Sequence, residues 1–114
     1  MADCLFCKII DGQIPAKVVH RDELSIGFLD INPQAPTHVL FVPRRHIATL
    51  NEATAEDREL LGHLVHVATN FAREKGLAET GYRQILNCNR DGGQTVFHIH
   101  LHLLGGRNMT WPPG

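Results

Sequence analysis

The chain has 114 residues, 43% of them hydrophobic, with 11 basic and 12 acidic side chains, a net charge of −1 and a pI near 6.7. That length suits a single domain, 1–114, with one ordinary core. Arg44-Arg45 is the longest basic run and no apolar run approaches the ~18 residues of a membrane span, so neither polynucleotide nor membrane partners are expected.

Met1-Ala2-Asp3-Cys4 has neither the basic start nor the long apolar core of a signal peptide, so a cytoplasmic location is expected. Three cysteines are a poor disulfide framework. Cys4-Leu5-Phe6-Cys7 leaves three readings open: a redox pair, two free thiols, or half a zinc site. A redox pair needs a strand–helix context that does not follow. A zinc site needs two more ligands, for which His46 and His98 are the candidates.

Lys8–Gly12 suggests a short helical turn closed by Gly12. Ala16–Arg21 and Leu24–Asp30 read as a β-hairpin turning at Arg21-Asp22-Glu23. Asp30 opens a proline-punctuated loop, and its carboxylate suits a ribose diol; a plain turn aspartate is the alternative. His38–Pro43 is nearly all apolar and reads as a central strand.

Thr54-Ala55-Glu56-Asp57 resembles a capping box, after which a helix runs to about Lys75 with Gly76 as its cap. Leu60, Leu61, Leu64, Val65, Val67, Ala68, Phe71 and Ala72 form its core arc. No charge occurs between Glu59 and Arg73, so the opposite face, with Gly62, His63, His66, Thr69 and Asn70, is expected to meet a second subunit. Gly81–Asn87 reads as another strand.

Asp91-Gly92-Gly93 signals a turn whose bare amides suit an anion, with Asn87 and Thr95 as donors at its lips. Phe97–Leu104 follows. His98, His100 and His102 alternate there with Ile99, Leu101 and Leu103, so a strand would set the imidazoles on one face and the aliphatics on the other. A helix would scatter them. Imidazoles in a row supply nucleophiles, proton carriers and metal ligands. Beside a loop of amides, they suggest attack on phosphorus.

His98-Ile99-His100-Leu101-His102-Leu103-Leu104 resembles the motif of the histidine triad (HIT) superfamily. Gln34–His38, Asp91–Gln94 and the ending Gly105–Gly114, with its Trp-Pro-Pro-Gly, resemble the Hint branch. The resemblance implies an α+β fold: about five antiparallel strands, one long helix and a short N-terminal helix, with the sheet extended across a homodimer. It implies hydrolysis of purine nucleoside phosphoramidates through a nucleotidyl-histidine, with His100 as nucleophile and His102 and His38 handling protons. His102, Thr95, Asn87 and the amides near Gly93 and Gln94 would hold the phosphoryl oxygens. Asp30, Ile31 and Phe28 would contact ribose and base. The tail, 105–114, would carry Trp111 toward the other subunit's site. Structural zinc on Cys4, Cys7, His46 and His98 is implied, and no catalytic metal. Thr95 stands where relatives often have Ser. A dinucleoside polyphosphate hydrolase and a non-catalytic purine-nucleotide scaffold are the competing readings; the Trp-Pro-Pro-Gly tail argues against the former.

Overall fold

The computed structural model describes residues 3–114. Met1 and Ala2, the start of the segment compared with a signal peptide, lie outside the described residues. Among the described residues no helix is long and apolar enough to cross a membrane.

Helix α1 spans Leu5–Ile10, and the Cys4 sulfur caps it by accepting from the Cys7 amide at 3.3 Å. It therefore begins at the cysteine pair, ahead of the expected turn at Lys8. Strands β1 (Val18–Arg21) and β2 (Ser25–Leu29) form the expected hairpin, and β3 spans Thr37–Pro43. The capping box is present: the Thr54 amide donates to Asp57, and the Thr54 hydroxyl accepts from Glu56. A single 3-10 turn, Ala55–Asp57, leads into α2 (Arg58–Glu74), and Gly76 follows its end at φ 78°. Strand β4 (Tyr82–Leu86), helix α3 (Asn89–Gly92) and β5 (Leu101–Gly105) complete the order.

The five strands form one antiparallel sheet in the order β1-β2-β3-β5-β4. Alternation along β3 divides the core. Val39 and Phe41 pack with α2 residues Leu64, Val67, Ala68, Phe71 and Ala72. Leu40 and Val42 face the other way, onto Phe6 of α1 with Ile26 and Phe28. Each buried aliphatic of this kind contributes about 1.5–3 kcal/mol. Val65 departs from the expected arc: it is 44% exposed, on the side with Gly62 and His66. At 100° per residue it has rotated past the sheet, so it widens the uncharged outer face instead of the core.

The imidazole strand is shorter than expected. Only Leu101–Gly105 joins the ladder, and His98 and His100 precede it. Phe41 pairs with Leu101, so continuing the register would set Ile99 opposite Pro43, which has no N–H to give. The Ile99 amide instead donates to the Ile47 carbonyl at 2.8 Å. The alternation survives without the ladder: Ile99, Leu101 and Leu103 enter the α2 core.

Candidate active site

His98, His100 and His102 are set on the α1 side of the sheet, and main-chain partners assign their tautomers, for His102 by way of His38. His98 Nε2 donates to the Pro43 carbonyl at 2.8 Å, leaving Nδ1 as a lone pair. His100 Nδ1 donates to the His98 carbonyl at 2.8 Å, leaving Nε2 free to attack. The Gln34 amide donates to His38 Nδ1 at 3.0 Å, so His38 carries its proton on Nε2. That proton is directed to His102 Nδ1 at 2.9 Å, with Asp30 Oδ2 at 3.5 Å. His102 is then a donor through its own Nε2.

Burial lowers all these imidazoles below their ordinary value. For His98 it outweighs the Pro43 hydrogen bond, and nearby His46 and His100 push further, to about 4. For His102, burial and the charges of His100 and His38 bring it to about 4. His100 and His38 shift the same way through burial, against the pull of Asp30. Near neutrality the row is uncharged, as a nucleophile must be.

A cavity of about 280 Å³ opens over this row. Phe28, Asp30, Ile31, Thr95, His100 and His102 line it, so six of the expected site residues meet on one wall system. His38 is buried behind His102. A larger hollow of about 640 Å³ between Tyr82 and Met109 holds no histidine, so chemistry favours the smaller one. Leu5, Phe6 and Ile9 of α1, with Ile14 and Pro15, supply an apolar wall that the sequence reading missed. The spacing of Phe6 and Ile9 was the available signal: one helical turn apart, they share a face.

Four expected residues are placed differently. Gly93 and Gln94 donate their amides to Arg90 and Asn89 carbonyls, closing α3, and Gly93 takes φ 81°. The stretch expected as an open loop of amides is thus a helix end with those N–H groups spent. The buried Gln94 side chain accepts from the Asn89 amide and donates to the Ala48 and Val96 carbonyls, a brace under the loop. Asn87 is half-buried and does not line the cavity. Trp111 is 82% exposed and does not line its own chain's cavity.

Cys4, Cys7, His46 and His98 converge. His98 Nδ1 stands 3.1 Å from His46 Nδ1, 3.3 Å from Cys4 Sγ and 3.5 Å from Cys7 Sγ, and Cys7 Sγ is 3.4 Å from His46 Nδ1. Donors around a tetrahedral ion with this ligand set stand roughly 3.3–3.8 Å apart. Burial, with the hydrogen bond and charge of Cys4, pushes the Cys7 thiol up to about 11, a crowding that a cation would relieve. Three of these separations fall in that range and the His46–His98 pair, at 3.1 Å, is slightly tighter, so the donor set fits a closed four-ligand metal centre. Asp30, His38 and His102 also converge, but the Gln34 amide keeps the His38 proton on Nε2, the nitrogen a metal would need. That trio is a hydrogen-bond relay.

Comparisons with known proteins find relatives across nearly the whole chain. The HIT domain model matches residues 11–109. The purine nucleoside phosphoramidase of Escherichia coli K12 is 50% identical over 107 residues, 94% of this chain and 90% of that protein. A HIT family hydrolase from Legionella pneumophila superposes with a TM-score of 0.96 at 56% identity, covering 98% of this chain and 100% of the other. A zinc-bound histidine triad family protein from Mycobacterium smegmatis superposes at 0.82 with 35% identity, over 94% of this chain and 77% of that one.

Proposed function

The chain belongs to the HIT domain family, and from that premise we propose that it hydrolyses purine nucleoside phosphoramidates to the monophosphate and an amine. The observation that carries this is the bond from His100 Nδ1 to the His98 carbonyl, which turns a neutral Nε2 toward the cavity.

In the first step His100 Nε2 forms a bond to phosphorus as the phosphorus–amine bond breaks. The departing amine takes a proton from the His102–His38 relay. In the second step water attacks phosphorus, the phosphorus–His100 bond breaks, and the water's proton returns to the relay. One hard displacement becomes two easier ones. The Thr95 hydroxyl holds a non-bridging oxygen, where charge builds in each transition state, and His102 Nε2 faces the phosphate with the proton that the amine takes. Asn87 and the amides of Gly93 and Gln94 contribute to phosphate only if α3 loosens. Asp30 takes the ribose, and Phe28 and Ile31 flank the base.

Zinc is the metal we assign to Cys4, Cys7, His46 and His98. With four protein ligands it has no open position, so its role is structural. The uncharged face of α2 and the β4 edge suit a homodimer, in which the tail would bring Trp111 to the partner's cavity. A cytoplasmic location, where thiols stay reduced, suits a metal site built on two cysteines.

Side-by-side kinetics on an AMP-amidate and a dinucleoside polyphosphate test the reading. Preference for the amidate, with an acid-labile nucleotidyl adduct on His100, is expected. Preference for the polyphosphate, or binding without turnover of either, would overturn it.

A further inference from the structure

The metal centre and the nucleotide cavity share one short helix. Cys4 and Cys7, at the cap and in the first turn of α1, point to the metal centre. Leu5, Phe6 and Ile9 of the same helix form a wall of the cavity. The other two ligands stand on the body of the domain, His46 after β3 and His98 before β5. The Phe6 ring is T-shaped to three rings at once, with centroids at 5.4 Å from Phe28, 6.0 Å from His98 and 5.0 Å from His100. His98 itself holds the His100 ring through its carbonyl.

A helix of six residues has no stability of its own. Its position depends on Phe6, Ile9 and Ile10 packing over the sheet and on whatever joins its cysteines to the two histidines. An ion at that point would fix the cavity wall and, through Phe6 and His98, the direction of the His100 ring.

We propose that metal occupancy at Cys4, Cys7, His46 and His98 controls nucleotide affinity and turnover by holding α1, with Phe6 as the positioning residue that carries the effect to His100. Loss of the ion frees α1 from its tether while the α2-side core stays intact, since that core contains none of the ligands. This inference rests on the nucleotide reading of the cavity.

The test compares zinc-loaded, chelator-stripped and zinc-reloaded protein. AMP binding is read by calorimetry, α1 by hydrogen exchange of residues 5–10, and the core by near-UV circular dichroism. Stripping should weaken AMP binding at least tenfold and raise exchange across α1 while the core signal persists, and reloading should restore both. In the loaded protein, Phe6→Ala should lower kcat at least tenfold more than it raises KM, with zinc stoichiometry unchanged, and Phe6→Tyr should restore much of it. Equal AMP affinity with and without zinc overturns the proposal and leaves the nucleotide reading standing. Global unfolding on stripping also overturns it, because the ion would then be a requirement of the fold. Failure of the loaded protein to bind AMP sinks the nucleotide reading, and this inference with it.

Discussion

The carbonyl of His98 accepts the Nδ1 proton of His100 at 2.8 Å, and this bond decides which nitrogen of the proposed nucleophile is free. The same His98 turns its own Nδ1 to Cys4, Cys7 and His46 because the Pro43 carbonyl takes its Nε2 proton. Two residues apart, the two rings are given opposite tautomers by the backbone, and so opposite chemistry.

Replacing His100 removes the nitrogen proposed to attack phosphorus. His100→Ala should lower kcat on an AMP-amidate by roughly 10³-fold or more. Rapid-quench mass spectrometry should find the nucleotidyl adduct on the wild-type His100 peptide and none on the variant. Turnover within tenfold of wild type would refute the assignment.

His38 stands one layer back, hydrogen-bonded to the His102 ring that is proposed to meet the phosphate. His38→Gln keeps an amide near His102 but breaks the relay, and should cost about 10²-fold in kcat, within the range of a positioned proton carrier. KM should change little, because His38 does not line the cavity. A rise in KM with unchanged kcat would place His38 in substrate binding instead.

Stability should fall on acidification. His102 is held neutral down to about 4 by burial and by His100 and His38. Its unfolded counterpart takes up a proton near 6.5, so the native state binds fewer protons in that window and stability drops as pH falls through it. Asp22 continues the trend. Burial alone would raise it, but hydrogen bonds from His20, His63, the Leu24 amide and Ser25 hold it well below the usual carboxylate range. Its stabilisation is present above about 4 and lost below it. Urea midpoints at pH 7, 5 and 4 should decrease in that order. At pH 7, Asp22→Asn should cost on the order of 1–3 kcal/mol, since it weakens the joint between the β1–β2 turn and α2.

Gly27 is required by contact. A Cβ there would meet the Phe41 ring at 2.7 Å, and Phe41 is fully buried. Gly27→Ala should destabilise by about 1–3 kcal/mol in thermal or chemical melts, with KM unchanged. An unaltered melting temperature would mean that Phe41 can swing away.

The outer face of α2 is open to a sharper test. Val65 is 44% exposed on it, and Thr69 accepts from Gln84 of the β4 edge at 3.0 Å, joining the two elements proposed to meet a partner. Val65→Glu should convert the protein to a monomer in sedimentation analysis, without loss of helix content. Unchanged association would place the interface elsewhere.

The sequence by itself determined whatever depends on near neighbours. The 2-residue alternation of His98, His100 and His102 with Ile99, Leu101 and Leu103 sorts these side chains to opposite sides even where no ladder forms. The Thr54–Asp57 cap and Gly76 bound α2 for equally local reasons. Tertiary structure decided the rest. Pro43, 56 positions before Ile99, stops the ladder and hands its carbonyl to His98. Gln94 is a brace because Ala48 and Val96 offer carbonyls to it, and α3 spends the amides that looked free for phosphate. Cys4 and Cys7 find His46 and His98 only once the sheet has closed, and that closure lays Phe6 against His100. Spacing along a chain fixes the direction of a side chain relative to its neighbours. Which distant donor, acceptor or ring it then meets depends on how the elements pack.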